Sequence, residues 1–238
     1  AALDAQGQED VAVVVWAGDG GTFDIGLQSL SGAAERNERL IYVCYDNEAY
    51  MNTGVQRSSA TPQYTWTATT PASGRKSQPK KDLLGIVAAH GVPYAATAVI
   101  AYPEDFATKL RRARAADGFA LIHLLAPCPT GWRTAPDAAV GLSRLAVRSR
   151  IFPLYEVEHG RRYTLQEAPP APVAAYLRPQ GRFAQLSAQE VAAIEQWAEE
   201  RWSELLIRAA KVTALAAEPD VTAPVGAAEP GKVRAVGA

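Results

Sequence analysis

Cysteine, net charge and long apolar runs are all scarce in this chain of 238 residues. Two cysteines, Cys44 and Cys128, cannot make a disulfide framework, and such sparse use fits a reducing interior. Lys and Arg number 24 against 25 Asp and Glu, giving a formal net charge of −1 and an isoelectric point near 6.4. A chain so balanced lacks the basic footprint of a nucleic-acid binder. No apolar stretch approaches the roughly 18–20 residues needed to cross a bilayer. The longest, Phe119–Pro127, has the length of a strand and contains His123. The first, Val11–Ala17, follows Glu9 and Asp10 instead of a positively charged segment, which argues against a secretory signal. The expected compartment is the cytoplasm, with neither nucleic acid nor membrane as partner.

What the chain does have is 48% hydrophobic residues, ample for one large core. They are arranged in alternation. Val11–Trp16, Leu40–Tyr45, Tyr94–Val99 and Ala120–Ala126 are apolar runs of strand length. Helical spacing fills Asp24–Arg36, Lys81–His90 and Pro103–Ala116. The last of these opens with Pro103, Glu104 and Asp105 and closes with Lys109, Arg111, Arg112 and Arg114, an order that suits the helix dipole. Buried strands alternating with helices predict an α/β fold, a mostly parallel sheet with helices on both faces. Such sheets bind ligands at the carboxyl ends of their strands.

This alternation occupies residues 1–150. Residues 151–210 read differently: Phe152–Val157 and Arg162–Leu165 flank His159-Gly160 as a hairpin. Ser187 and Glu190 form a capping box, after which Val191, Ile194, Ala198, Trp202 and Leu205 share one face of a long helix. Residues 211–238, rich in Ala, Pro, Val and Gly without periodicity, are expected to be a disordered tail.

The chemistry concentrates where the first strand ends, in Trp16-Ala-Gly-Asp-Gly-Gly-Thr-Phe23. Gly18, Gly20 and Gly21 let backbone approach a ligand closely, and the N–H groups of the helix that follows favour an anion. Asp19 would repel a bare phosphate, unless a hard cation sits between them. A plain strand-to-helix turn capped by Asp19 explains GDG equally well. Twenty-six residues after Gly20, at the end of the next strand, comes Asp46-Asn47-Glu48-Ala49-Tyr50. A strand–helix–strand unit brings that end beside the first. Asn47 then offers a neutral carboxamide oxygen, and one carboxylate, one amide oxygen, one carbonyl and diphosphate oxygens suit Mg²⁺. For Asn47 the bland alternative is turn capping.

GDG followed by Asn at this distance resembles the diphosphate-binding motif of thiamin diphosphate enzymes. The segments GDGGTFDIGLQSLSGAAERN, YVCYDNEAYMNTGVQRSSATP, LAPCPTGW and YLRPQGRF, in that order, resemble the β subunit of pyruvate:ferredoxin oxidoreductases, from about Val11 to Arg208. The resemblance implies a thiamin diphosphate-binding fold in residues 1–150 and Mg²⁺ held by Asp19, Asn47 and the Ala49 main-chain carbonyl. It places Asn52 against the substrate carboxylate, with Thr53 and 56–61 lining the site. It makes Cys128, between Pro127 and Pro129, a ligand of a [4Fe–4S] cluster.

The implied reaction is oxidative decarboxylation of pyruvate to acetyl-coenzyme A and CO₂, with electrons passed to ferredoxin. The implied partners are α, γ and δ-type subunits. A sister enzyme acting on branched-chain 2-oxoacids, phenylglyoxylate or oxalate is an alternative, as is a truncated, non-catalytic assembly subunit. A cluster needs about four thiolates, and the family's other three cysteines precede the position of Val11, so a fragment lacking that segment is expected. Cys44 reads as an inert buried thiol, His123 as a core histidine, His90 as a helix-end residue and His159 as part of a turn. Arg111, Arg112 and Arg114 read as a solvated helix face or a contact for ferredoxin or a subunit. Trp16 and Trp132 read as core packing near the site.

Overall fold

The computed structural model describes residues 2–8, 11–70 and 75–217. A helical turn α1 (Ala2–Ala5) precedes strand β1 (Val14–Gly18), a π-helical turn (Gly21–Ile25) and helix α2 (Leu27–Glu35). Then follow β2 (Ile41–Asp46), α3 (Leu83–Ala88), β3 (Tyr94–Val99), α4 (Pro103–Ala115) and β4 (Ala120–Leu125). The chain continues through α5 (Pro129–Trp132), α6 (Ala139–Arg148), the hairpin β5 (Tyr155–Glu158) and β6 (Arg162–Leu165), α7 (Val173–Leu177) and α8 (Ala188–Ala217).

The six strands form one sheet in the order β1-β2-β4-β3-β5-β6. The first four are parallel, and β5 and β6 add antiparallel at the far side. The expected hairpin therefore extends the same sheet. It turns at His159 and Gly160, both with positive φ.

Every residue of β3 and β4 is buried, because helices cover both faces. On one side Phe106, Leu110 and Ala113 of α4 pack over Ile41, Val43, Ala96 and Ile122. On the other, Leu30, Leu84, Val87 and Leu205 from α2, α3 and α8 cover Cys44, Ala95, Leu121 and Val157. A third cluster joins the ends of β3 and β4 to α6, α7 and α8 around Trp132, Phe152 and Tyr176.

Two expectations need correction. Trp16 is 57% exposed, stacked on Tyr45 with ring centroids 6.0 Å apart. Strand β1 is the sheet edge, beyond the reach of α4, so core packing is not available to it. Helix α8 also runs through Ala217, seven residues into the stretch 211–238 expected to be disordered. Its Ala- and Leu-containing sequence propagates a helix, and the first proline, Pro219, comes only later. The remainder of that stretch, 218–238, lies outside the described residues. The capping box itself forms: Ser187 N–H donates to Glu190 Oε2 at 2.8 Å, and Glu190 N–H to Ser187 Oγ at 3.2 Å.

The long connection from Asp46 to α3 walls the site. Buried Lys76 ties it together, donating to the carbonyls of Ser59, Thr61 and Pro79. Burial first, then the nearby Arg57 and Lys80 charges, push this ammonium down to about 8.

Leu121, fully buried in mid-sheet, should cost about 2–5 kcal/mol of unfolding free energy as Leu121→Ala. Ser187→Ala should cost about 1 kcal/mol. Denaturant unfolding checks this ranking, and equal losses would contradict it. Folded Lys76 releases its proton near 8, against 10.5 ordinarily, so between these values unfolding takes up a proton and stability rises with pH. A Lys76→Met variant lacks that slope. Unfolding followed from about pH 8 to about 10 should shift the difference in favour of the natural residue; a constant difference would count against it.

Candidate functional site

Parallel pairing of β1 with β2, in the register Gly18↔Tyr45, sets the two strand ends side by side. Beyond Gly18 the chain turns straight into the π-helical segment, closed by Gly26 N–H donating to Gly21 O at 2.8 Å. The opening turn of a helix leaves N–H groups without intrahelical partners. A side chain at position 20 is forbidden: a Cβ there would meet the Tyr50 ring at 2.2 Å. Tyr50 Oη donates to Gly20 O at 2.9 Å and so fastens one loop to the other. At Gly21 a Cβ would meet nothing within 4 Å, leaving this backbone open to a ligand.

Gly18, Asp19, Gly20, Gly21, Asn47, Ala49, Asn52 and Thr53, all expected from the sequence, line one open cleft together with Tyr45, Tyr50 and Met51. Asp19 is buried and accepts a hydrogen bond from Ser58 Oγ. Ser59 holds Asp24, one helical turn on, through its N–H and hydroxyl.

The decisive geometry is at Asn47. Its carboxamide faces two acceptors, Asp19 Oδ1 at 3.1 Å and Ala49 O at 2.8 Å. With its nitrogen toward them the amide donates to both. With its oxygen toward them, as a cation between the three groups would select, one carboxylate, one amide and one carbonyl oxygen converge, a donor set suited to a hard divalent cation. Among the described residues no three His, Cys, Asp or Glu side chains gather as an alternative metal site. Electrostatics agree with a cation here. Burial first, and then the Asp46 charge, push the Asp19 carboxyl up to about 8, so near neutrality it resists ionising unless a positive charge joins it.

Behind this cradle lies a group of buried charges that the sequence reading did not anticipate. Lys80 Nζ pairs with Asp46 and, at 2.8 Å, with Glu48 Oε1. Arg182 Nη2 meets Glu48 Oε2 at 2.6 Å. Two carboxylates thus balance two cations, as burial demands. Burial works against ionised Asp46, but Lys80 and the hydrogen bond from His123 outweigh it and hold Asp46 at about 2. His123 Nε2 lies 2.7 Å from Asp46 Oδ2, and burial lowers its own pKa, so it is the satisfied, neutral core histidine expected.

Trp132 is fully buried, as expected, and also donates its Nε1–H to Asn47 O at 2.8 Å. A sequence signal for this group existed in Asp46 and Glu48, two acids at the end of an apolar strand. Their partners lie 34 and 134 residues away, where no periodicity points.

Cys128 lies at the start of α5, partly buried against the third cluster, and does not line the cleft. Both cysteines are free. Cys44 is fully buried, and burial raises its thiol well above the usual range, consistent with an inert role. One accessible thiol does not meet the requirement of about four for a cluster. Asn52 is exposed at the cleft, whereas the Thr53 hydroxyl is turned back to Gln56 Oε1 at 2.6 Å. Of the arginines on α4, Arg112 is no mere solvated residue: it grips buried Glu156 with both contacts at 2.7 Å. His90 meets Ser31 Oγ at 3.1 Å just beyond α3.

Residues 1–124 match the family described as Thiamine pyrophosphate enzyme, C-terminal TPP binding domain. Ketoisovalerate oxidoreductase subunit VorB of Pyrococcus horikoshii is 48% identical over 206 residues, which cover 84% of this chain and 66% of that protein. Pyruvate synthase subunit PorB of Methanothermobacter thermautotrophicus is 52% identical over 211 residues, covering 87% of this chain and 73% of that protein. A solved 2-oxoglutarate:ferredoxin oxidoreductase of Magnetococcus marinus aligns with a TM-score of 0.48 and 27% identity, over 60% of this chain and 56% of that one. The chain spans just under two thirds of the length of the VorB proteins it matches. By its sequence the chain belongs to the family of thiamin diphosphate-binding 2-oxoacid oxidoreductase subunits that includes PorB and VorB.

Proposed function

We propose that this chain is the thiamin diphosphate- and Mg²⁺-binding β subunit of a pyruvate:ferredoxin oxidoreductase. The observation that carries the reading is the convergence of Asp19 Oδ1, the Asn47 carboxamide, whose oxygen would turn inward to a cation, and Ala49 O at the ends of two neighbouring parallel strands. These three oxygens would hold the Mg²⁺, and open backbone at Gly21 beside a helix start would receive the diphosphate. When bound, thiamin diphosphate supplies the nucleophilic carbon and takes up the electrons that departing CO₂ leaves. Asn52, exposed at the same cleft, presents an amide donor to the carboxylate of a 2-oxoacid. The Gly20–Tyr50 closure fixes the spacing of the two loops. Coenzyme A is the proposed acyl acceptor and ferredoxin the electron acceptor. Cys128 is proposed as one thiolate of a [4Fe–4S] cluster whose other ligands come from outside this sequence.

Partner subunits of α, γ and δ type complete the enzyme in this reading. Two free cysteines suit a reducing cytoplasm, and among the described residues no helix is long and apolar enough to cross a membrane. A branched-chain 2-oxoacid is the second reading of the substrate, supported by the 48% identity to a ketoisovalerate oxidoreductase subunit. An assembly subunit without catalysis would have no use for the oxygen cradle, which speaks against that alternative.

Asp19→Ala should weaken Mg²⁺-dependent retention of thiamin diphosphate by more than about a hundredfold. Removing a carboxyl that burial already disfavours should change the stability of the cofactor-free chain by less than about 1 kcal/mol. Dialysis and thermal melting measure both, and retained Mg²⁺-dependent binding would contradict the assignment. In the complete complex, Cys128→Ser should remove about four iron atoms per copy; unchanged iron content returns Cys128 to an ordinary thiol. Turnover of a panel of 2-oxoacids with coenzyme A and ferredoxin decides the substrate. A preference for 2-oxoisovalerate over pyruvate would replace the first reading with the second.

A further inference from the structure

Between the two cation ligands Asn47 and Ala49 stands Glu48, with φ of 69°. That is left-handed backbone, which a residue bearing a Cβ adopts at a cost and glycine adopts freely. The turn is what folds the Asn47 side chain and the Ala49 carbonyl back toward each other, within 2.8 Å. An extended residue at this position would send them apart.

Every polar group of Glu48 is held. Its N–H donates to Asp46 Oδ1 at 2.8 Å, and its carbonyl accepts from Thr61 Oγ1 at 2.7 Å. Its two carboxylate oxygens are taken separately, one by Lys80 and the other by Arg182. The Arg182 guanidinium lies 3.7 Å from the centroid of the Trp132 ring, and that indole donates to Asn47 O. Lys80, Arg182 and Trp132 therefore brace the turn from behind, on the side away from the cleft, and among them only Lys80 and Arg182 carry charge.

We propose that Glu48, clamped by Lys80 and Arg182 and braced by Trp132, is a positioning residue that holds Asn47-Glu48-Ala49 in the left-handed turn presenting two oxygens to the divalent cation. No side chain of the clamp lines the cleft. It rests on the cation site proposed above, and it explains why an acidic residue occupies a position whose backbone favours glycine.

The test uses the full-length protein in its native complex, with Mn²⁺ as probe in the presence of thiamin diphosphate and bound manganese counted after equilibrium dialysis. Glu48→Ala loses the clamp and keeps the Cβ; Glu48→Gly loses the clamp but tolerates the turn. The left-handed preference alone is worth about five- to thirtyfold in population, so Mn²⁺ affinity should fall in the order natural protein, Glu48→Gly, Glu48→Ala. The two variants should differ by at least about fivefold. A purely structural ion pair would not be rescued by glycine. Trp132→Phe, which strands no charge, should weaken Mn²⁺ by about threefold or more, and it decides alone if both Glu48 variants fail to fold. Affinity unchanged in the variants that fold overturns the clamp, as does equal weakening in Gly and Ala. If the natural protein itself binds no Mn²⁺, the cation site falls first and the clamp falls with it.

Discussion

The Asn47 carboxamide is held 3.1 Å from the Asp19 carboxylate and 2.8 Å from the Ala49 carbonyl at the tips of two adjacent strands. Nothing in the packing of the sheet calls for such an arrangement. It costs a buried carboxyl pushed up to about 8 and a left-handed residue between two of the three donors. Strain and unfavourable charge of this kind persist where surrounding structure over-determines them, and they collect at functional sites. A divalent cation turns the same arrangement from a liability into a binding site, since it supplies the positive charge that Asp19 lacks.

The rest of the molecule can be understood as the support for that spot. Parallel pairing of the edge strand β1 with β2 fixes the distance between Gly18 and Tyr45. Tyr50 over Gly20 fixes the two loops. Ser58 and Ser59, on a segment tied down by buried Lys76, hold Asp19 and Asp24. The balanced charges of Asp46, Glu48, Lys80 and Arg182 then join this end of the sheet to the turn after α7. Breaking one member of such a group strands its partner in a water-free interior, a loss on the order of 3–5 kcal/mol.

Much of this was legible in the sequence. The strands at Tyr94–Val99 and Ala120–Leu125 emerged within a residue because both faces are covered and the runs are continuous. Asp19 and Asn47 could be paired because a strand–helix–strand unit returns its second strand beside the first, and β1 and β2 do so. Other features depend on what meets what. Trp16 looks like a core residue until its strand proves to be the sheet edge. Lys80 sits in a stretch without period, and only the fold reveals that it reaches Asp46 and Glu48. Arg182 falls within the segment YLRPQGRF, yet its partner Glu48 is 134 residues distant. The end of α8 was misplaced because composition alone does not distinguish an alanine-rich helix from an alanine-rich coil.

The most direct measurement is a crystal structure of the complete complex grown with Mn²⁺ and thiamin diphosphate, with manganese located by its anomalous scattering. A peak at about 2.0–2.3 Å from Asp19 Oδ1, Asn47 Oδ1 and Ala49 O, bridging to diphosphate oxygens, is the predicted result. Manganese bound elsewhere, or a diphosphate seated with the Asn47 amide nitrogen turned onto Asp19 and no ion between them, would contradict it.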